Sequence, residues 1–281
     1  MKVFVTGASG QLGREVLRVL AFRGIEGLGV SSRELDITDE AAVQTVLRDF
    51  APDAVIHCAA YTQVDRAEEE RELCRRVNAE GTRYIARVCR ELGAKLVYVS
   101  TDYVFPGTGE RAWQPDDTTA PLNEYGRSKL MGEQAVRENC EKHFIVRTSW
   151  VIGDGKNFVK TMLRLAESRT ELRIVADQFG APTFTADLAP LLCSMIETEK
   201  YGTYHASNSG CCTWAELAAE TFRLAGKTVH IIPVSTVEYG APASRPHNSR
   251  LDMSITEAAF GCIMPPWQTS LERYLRNLQT Q

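Results

Sequence analysis

The chain has 281 residues, of which 44% are hydrophobic and 24% are charged, and it contains 20 Gly and 11 Pro. This length suits one large domain or two interleaved ones, and the composition excludes collagen-like, low-complexity and disordered proteins. Lys and Arg total 32 against 36 Asp and Glu, a formal net charge of -4. Such a chain offers no basic field to a polyanion, so we expect no nucleic-acid partner.

Several features of the sequence bear on the cellular compartment of the protein. The sequence contains no stretch near the roughly 18 unbroken apolar residues of a membrane span, and it opens on a short apolar run without the basic region of a signal peptide. Its eight Cys residues are scattered, without CxxC spacing. We therefore expect no membrane contact, a cytoplasmic protein and reduced thiols. A metal cluster is the alternative, although no two Cys or His residues stand at ligand spacing.

Apolar runs rich in Val and Ile alternate with longer segments whose apolar residues recur at helical spacing. This alternation predicts an α/β fold, a Rossmann-like, doubly wound parallel sheet with helices on both faces. The predicted strands are 3–6, 27–30, 53–58, 95–100, 144–147 and 172–175. The predicted helices between them are 11–22, 40–50, 72–92 and 124–138.

After Trp150 the alternation of strand and helix patterns becomes less regular. This change predicts a smaller C-terminal α/β domain over residues 151–281 beside a first domain over 1–150. Because the strand 172–175 could return to the main sheet, we expect part of 170–200 to belong to the first domain. The elements predicted in this half are helices at 158–167, 186–197, 214–224 and 268–278 and strands at 203–206 and 229–232.

Three glycines, Gly7, Gly10 and Gly13, follow the first predicted strand and open the first helix with the spacing GxxGxxG. Glycines let the backbone turn tightly and approach a pyrophosphate, whose charge is stabilised by the free N–H groups and the dipole of the helix N-terminus. The bare pattern is weak, but its strand-turn-helix context predicts a dinucleotide site. A tight turn without a ligand is the alternative.

The end of the second predicted strand bears on which dinucleotide binds. An NAD-preferring site often carries an acid here that hydrogen-bonds the adenosine ribose. This chain has Ser31, Ser32 and Arg33, which suit a 2′-phosphate, so we predict NADPH as the preferred hydride donor. Glu34 could instead take the ribose role, which leaves NADH as the alternative.

Tyr125 and Lys129 stand four residues apart in the predicted helix 124–138, so they share one face about one turn apart. An adjacent Lys ammonium favours the phenolate and lowers the pKa of a Tyr, as proton exchange near neutral pH requires. Thr101 ends the fourth predicted strand, at the edge where open α/β sheets bind ligands, and could hydrogen-bond a substrate carbonyl beside Tyr125. For the Tyr-Lys pair alone, an ordinary amphipathic helix is the alternative.

The glycine turn, the strand-end hydroxyl and Tyr-x-x-x-Lys, in this order, resemble the short-chain dehydrogenase/reductase superfamily in its extended, sugar-nucleotide branch. Further stretches over nearly the whole chain resemble the dTDP-4-dehydrorhamnose reductase family, namely 57–68, 100–105, 147–150, 157–162, 177–183 and 245–249. The resemblance implies reduction of the C4 ketone of dTDP-4-dehydro-β-L-rhamnose by NADPH, the last step of dTDP-L-rhamnose synthesis. It also implies that residues 1–150 bind NADP(H) and residues 151–281 bind the sugar nucleotide.

Site residues follow from this resemblance position by position. It makes Tyr125 the proton donor, Lys129 its activator and Thr101 the residue that orients the carbonyl. Trp150 has a structural alternative, as a buried aromatic residue after a strand. The cofactor contacts, with Gly7 of the glycine turn, are Gly10, Gln11, Leu12, Asp36, Ile37, Ala60, Tyr61, Thr62, Val99, Tyr125 and Lys129. The substrate contacts are Val64, Thr101, Asp102, Tyr103 and Trp150.

Other functions share parts of this pattern. A sugar-nucleotide 4,6-dehydratase or epimerase uses the same fold and Tyr-Lys pair, but a dehydratase needs an acid after the Thr-Asp pair, where this chain has Tyr103. The regulatory β subunit of methionine adenosyltransferase resembles the family without performing the reduction, whereas intact Thr101, Tyr125 and Lys129 favour an enzyme. For some members the resemblance also implies a homodimer with Mg²⁺ at its interface, but no carboxylate cluster in this sequence can be assigned to that ion.

Overall fold

The computed structural model describes residues 1–279, and a parallel β-sheet lies at its centre. Within these residues the strands are β1 (Lys2–Thr6), β2 (Glu26–Val30), β3 (Ala54–His57), β4 (Lys95–Thr101), β5 (His143–Thr148), β6 (Val151–Ile152), β7 (Glu171–Val175), β8 (Phe179–Gly180), β9 (Thr183–Phe184), β10 (Gly202–Ala206), β11 (Cys212–Thr213) and β12 (His230–Val234). Six of them form one sheet in the order β2-β1-β3-β4-β5-β10, with every pairing parallel. This confirms the predicted α/β fold.

Helices connect these strands and cover the sheet. Within residues 1–279 they are α1 (Gln11–Phe22), α2 (Glu40–Phe50), α3 (Val64–Ala67), α4 (Arg71–Arg75), α5 (Gly81–Leu92), α6 (Glu124–Asn139), α7 (Phe158–Leu165), α8 (Thr185–Met195), α9 (Trp214–Leu224), α10 (Thr236–Tyr239), α11 (Ser254–Phe260) and α12 (Trp267–Gln279). Among the described residues no helix is both long and apolar enough to cross a membrane.

The central strands are buried on both faces. Val3 and Val5 of β1 pack in one hydrophobic core with α1 and α8, whereas Phe4 packs in a second core with α2 and α5. Successive side chains of a strand point to opposite faces, so each core takes alternate residues. The runs are therefore apolar without interruption, as a parallel sheet between two helical layers requires.

The predicted helix 72–92 is interrupted. A π-helical turn, Arg76–Glu80, lies between α4 and α5. Such turns insert one extra residue into a helix and often occur at functional sites. The apolar spacing did not reveal this turn, because it is stabilised by contacts of Asn78 with distant residues.

The strand predicted at 172–175 does not join the main sheet. As β7 it pairs with β12, and its residues alternate between exposed and buried positions, as expected for a sheet covered on one face. The main sheet is instead extended by β10, which pairs with β5, while α8 packs against α1. The domain boundary near residue 150 stays a prediction.

The order of the strands in the sheet determines where the candidate site lies. The chain runs from β1 outward to β2 and then crosses to β3 on the other side of β1, so the direction of winding reverses between β1 and β3. At such a reversal the loops after neighbouring strands diverge and leave a crevice at the carboxyl ends of the strands. The glycine turn follows β1 at this crevice, and Thr101 is the last residue of β4.

Candidate active site

A cleft of about 690 Å³ lies along the carboxyl ends of the central strands. Residues from both halves of the chain line it, including Trp150 and Trp214. The structure thus brings together the glycine turn, the end of β4 and the Tyr-Lys face of α6. The residues predicted for the site that line this cleft are Gly7, Gly10, Gln11, Leu12, Asp36, Ile37, Ala60, Thr62, Val64, Val99, Thr101, Asp102, Tyr103, Tyr125, Lys129 and Trp150.

Tyr61 is the predicted contact that does not line the cleft. Its ring packs in a small core with Ala67 and Cys74, and its hydroxyl donates to Glu70 at 2.5 Å. Its backbone N–H donates to Asn78 Oδ1 at 2.8 Å. The side chain of Tyr61 therefore supports the loop from behind, while its neighbours on either side reach the cleft.

The glycine turn after β1 leaves no room for side chains. Gly7 has a φ of +68°, and a Cβ there would lie 2.7 Å from the backbone nitrogen of Ala59. A Cβ at Gly13 would lie 2.3 Å from the carbonyl oxygen of Gly7. The N-cap Gly10 places no side chain over the first turn of α1. A bare backbone turn at a helix N-terminus fits the pyrophosphate of a dinucleotide.

Gly13→Ala is expected to weaken NADPH binding by roughly tenfold or more, because overpacking against backbone typically costs about 1–3 kcal/mol. Fluorescence titration with NADPH measures the dissociation constant, and a melting curve reports the fold. Gly27→Ala is the matched control, since its Cβ would meet only Leu side chains, at 3.1 Å and beyond. An unchanged dissociation constant in the Gly13 variant would remove the turn from the cofactor site.

The two acidic side chains near the end of β2 accept hydrogen bonds from residues of their own turns. Glu34 accepts hydrogen bonds from the N–H and hydroxyl of Ser31 at 2.7 and 2.8 Å, and these bonds lower its pKa. Asp36 lines the cleft, but its carboxylate accepts from the N–H and hydroxyl of Thr38 at 2.9 and 2.8 Å. Ser31 and Ser32 line the cleft, whereas Arg33 and Glu34 do not.

Tyr125 and Lys129 face the cleft from α6, which begins after the N-cap Asn123. The Asn123 side chain accepts from Gly126 N–H at 2.8 Å and fixes the first turn of this helix. Thr101 donates to Asp102 Oδ1 at 3.0 Å. Thr101 and Tyr125 both line the cleft, and the Thr101 side chain lies near enough to the phenol to affect its pKa.

Burial dominates the protonation of this site. It raises the pKa of Tyr125 well above its usual range, against the lowering effect of the Thr101 hydrogen bond. Burial also lowers the pKa of Lys129 to about 7, and the Lys129 Nζ lies 4.0 Å from the centre of the Tyr98 ring. Burial thus raises the pKa of Tyr125 in this geometry, and the lowering of that pKa by Lys129 stays a prediction. The phenol is held protonated, which is the form a proton donor needs.

Asp102 is an unsatisfied acceptor at the cleft. Its side chain is 2% exposed, and its Oδ2 has no hydrogen-bond partner among residues 1–279. Burial raises the pKa of this carboxyl to about 6. Asp102 lines the cleft, but its Oδ2 atom is itself buried, and the Ser249 side chain lies beside this carboxyl.

Asn78 links the loop after β3 to the catalytic helix, a role that the sequence reasoning missed. Its Nδ2 donates to the carbonyl of Tyr61 at 3.1 Å and to Ser128 Oγ at 2.9 Å. Ser128 Oγ donates in turn to the carbonyl of Tyr125 at 2.8 Å. A buried Asn inside a helix is a poor helix former, and this was the signal available in the sequence.

A buried ion pair fixes α6 against the sheet. Glu133 lies one turn after Lys129 and accepts from Arg147 Nε and Nη2, both at 2.8 Å, and from Ser100 Oγ at 2.6 Å. Arg147 is 2% exposed and Glu133 fully buried. Because a bidentate pair allows one geometry, it sets how far the Tyr-Lys face projects into the cleft.

Comparison with known proteins assigns the chain to a family. A family model described as RmlD substrate binding domain matches residues 1–280. The dTDP-4-dehydrorhamnose reductase of Salmonella typhimurium is 42% identical over 295 residues, which cover 100% of this chain and 99% of the relative. The solved structure of the Bacillus anthracis dTDP-4-dehydrorhamnose reductase in complex with NADP is 45% identical, with a TM-score of 0.96 and coverage of 98% of this chain and 99% of that one.

A more distant structure shares only the fold. The UDP-glucose 4-epimerase of Thermus thermophilus, solved with NAD, is 21% identical, with a TM-score of 0.84 and coverage of 99% of each chain. The full-length matches above that level confirm the resemblance drawn from the sequence. The chain belongs to the RmlD family of dTDP-4-dehydrorhamnose reductases.

Proposed function

We propose that this protein reduces the C4 ketone of dTDP-4-dehydro-β-L-rhamnose to give dTDP-L-rhamnose, with NADPH as the hydride donor. The observation that carries the proposal is the placement of Thr101, Tyr125 and Lys129 around one cleft that also contains the glycine turn. Full-length relatives named dTDP-4-dehydrorhamnose reductase support the substrate, and a related structure in complex with NADP supports the cofactor.

The cleft has the parts that NADPH requires. The turn of Gly7, Gly10 and Gly13 would hold the pyrophosphate, and by resemblance Lys129 would bind the nicotinamide ribose. When bound, the nicotinamide supplies the hydride to the ketone carbon. The protein contributes position, proton supply and charge stabilisation at the ketone oxygen.

Two side chains act at the ketone in this proposal, and a third acts on the rest of the sugar. Tyr125 donates its phenolic proton to the ketone oxygen, and Thr101 hydrogen-bonds that oxygen as negative charge develops on it. In the free protein Thr101 gives its one hydroxyl proton to Asp102 Oδ1, so this proposal requires the hydroxyl to turn towards the ketone oxygen when the substrate binds. By resemblance Asp102, which lines the cleft beside Thr101, would contact the sugar and help to orient its ring.

Tyr103 favours reduction over dehydration. It occupies the position after Thr101 and Asp102 where a dehydratase needs an acid, and its ring meets that of Tyr125 edge-on, with 5.6 Å between the centroids. Burial and the neighbouring Asp102 raise the pKa of Tyr103, so it stays a neutral phenol. A neutral phenol in this place is suited to substrate contact and offers no carboxylate for eliminating water.

Oxidation of NADPH by the purified protein tests the substrate. We expect rapid turnover with dTDP-4-dehydro-β-L-rhamnose and none with dTDP-4-dehydro-6-deoxy-D-glucose, which differs from it in configuration at C3 and C5. Absence of turnover with both, despite NADPH binding, would overturn the proposal in favour of another sugar nucleotide or a regulatory role.

NADPH is expected to exceed NADH in kcat/KM by about tenfold or more, equivalent to about 1.4 kcal/mol. The reason is that Ser31 and Ser32 line the cleft while the Glu34 carboxylate is held by Ser31. Ser32→Asp should remove this preference, because a carboxylate there repels a 2′-phosphate and binds a ribose hydroxyl. Ser32→Asn is the uncharged control, and a parallel loss of preference in both variants would contradict the charge argument.

Two properties implied by the resemblance, a homodimer and Mg²⁺ at its interface, stay predictions. Within residues 1–279 of one chain, no group of three or more His, Cys, Asp or Glu side chains is arranged to hold a metal ion. No step of the proposed reaction uses this ion.

A further inference from the structure

Trp150 adopts a backbone conformation that bulky residues avoid. It lies where the chain leaves β5 for β6, and its φ is +46°, one of two positive values for non-glycine residues among residues 1–279. An aromatic residue in this region is strained and persists only when its surroundings fix it. Because Trp150 also lines the cleft, the residues that fix it bear on the site.

Trp214, the first residue of α9, stacks on Trp150. The ring centroids are 3.7 Å apart and the planes are tilted by 17°. A Cβ at Gly180 would lie 3.0 Å from Cζ2 of Trp150, so backbone bounds the same indole at its edge. Both indoles line the cleft.

Trp214 is itself held in place by a chain of hydrogen bonds. Its Nε1 donates to Gln178 Oε1 at 3.1 Å, and Gln178 Nε2 donates to Thr236 Oγ1 at 3.0 Å. Thr236 Oγ1 donates to Asp177 at 2.6 Å. Gln178, the middle member of this chain, is 5% exposed, whereas Asp177 and Thr236 are half-buried. The bond from Gln178 fixes the plane of the Trp214 ring.

We propose that Trp214 is a positioning residue for the sugar nucleotide: its indole holds Trp150 in the left-handed conformation that keeps the Trp150 ring at the cleft. The substrate named here rests on the proposed function, whereas the stacked pair does not. Aromatic pairs gain stabilisation beyond the area they bury. In this arrangement Trp214 acts on substrate binding through Trp150 and has no part in proton transfer.

Kinetics of Trp214 variants test the proposal. Trp214→Ala should raise the KM for the sugar nucleotide roughly three- to tenfold, the range an aromatic pair supplies, and leave the KM for NADPH within about twofold. Trp214→Phe should retain most of the affinity, and it serves where the Ala variant fails to fold. Trp267→Phe is the matched control, because Trp267 is buried in the same core as Trp214 but does not line the cleft.

A double variant separates an indirect role from direct contact. If Trp214 acts through Trp150, the KM of Trp150→Ala/Trp214→Ala should equal that of Trp150→Ala alone. If the two effects multiply, Trp214 contacts the substrate independently and the proposal is wrong. An unchanged KM in Trp214→Ala would overturn it as well.

Circular dichroism gives a readout that needs no substrate. Stacked indoles couple their transitions, so the far-ultraviolet spectrum of the wild type should contain an exciton couplet. The couplet should vanish in Trp214→Phe and in Trp150→Phe and persist in Trp267→Phe. If it survives in Trp214→Phe, or is absent from the wild type, the two indoles are not stacked in solution and the proposal is wrong. Should the wild type fail to reduce the sugar nucleotide, the proposed function fails while this measurement still decides on the stack.

Discussion

Tyr125→Phe is expected to lower kcat by roughly 100-fold or more, with NADPH affinity and melting temperature unchanged. The variant removes only the hydroxyl that donates a proton to the ketone oxygen. Its ring stays in edge contact with Tyr103, so the packing of α6 at the cleft is kept. Initial rates with saturating sugar nucleotide and NADPH measure the effect, and fluorescence titration reports NADPH binding.

The Tyr125 result needs a matched control for the loss of a hydroxyl. Tyr84→Phe removes one from α5, and Tyr84 does not line the cleft. We expect this variant to keep kcat within about twofold, since surface and boundary changes rarely exceed about 0.5 kcal/mol. Near-normal turnover in Tyr125→Phe would remove Tyr125 from the mechanism, whatever the control shows.

Lys129→Met is expected to lose most turnover and yet melt at a higher temperature than the wild type near neutral pH. Lys129 is 2% exposed, and burial lowers its pKa from an ordinary value near 10.5 to about 7. The buried amine thus holds fewer protons than the same group in the unfolded chain between these two values. Met fills a similar volume without a charge, so it removes the desolvation penalty together with the function.

The gain in melting temperature of Lys129→Met should become smaller as the pH rises. Below pH 7 the charged Lys129 destabilises the folded protein fully, and the penalty shrinks as pH rises towards the unfolded pKa near 10.5. The variant should therefore melt at least about 2 °C above the wild type at pH 6, with a smaller difference at pH 9. Calorimetric melting curves at both values measure this. Exposed Lys227→Met is the control, and a lower melting temperature for Lys129→Met at pH 6 would contradict the account.

Local signals in the sequence predicted several elements to the residue. The ranges 11–22, 40–50 and 214–224 agree with α1, α2 and α9. The latter two follow the N-caps Asp39 and Thr213, whose side chains accept from the first turn of their helices. The apolar periodicity of a helix and its capping residues are local features, so they can be recognised in the sequence alone.

The pairing of strands was harder to predict from the sequence. The strand 172–175 was expected as a return to the main sheet, whereas β10 takes that edge and β7 pairs with β12. Which strands become neighbours depends on contacts between distant segments. The alternation of Glu171, Leu172, Arg173 and Ile174 is typical of a strand with one exposed face, and this was the available signal against a central position.

The candidate site likewise combines features that local motifs predict with features that depend on contacts between distant residues. Apart from Tyr61, the site residues that the resemblance predicted line the cleft, because a motif fixes the positions of its residues in the sequence. The protonation of Tyr125 and Lys129 followed instead from burial, which depends on how α6 is fixed by the pair of Glu133 and Arg147. Trp214 lies 64 residues beyond Trp150 in the chain, and no local pattern predicts that stacking.

The most direct test of the account follows the transferred hydrogen. Purified protein is incubated with dTDP-4-dehydro-β-L-rhamnose and NADPH deuterated at both C4 positions, and the product is examined by NMR. The account predicts dTDP-L-rhamnose with one deuterium at C4 of the sugar and stoichiometric loss of NADPH. Product without deuterium at C4, or an epimerised ketone with NADPH unconsumed, would contradict it.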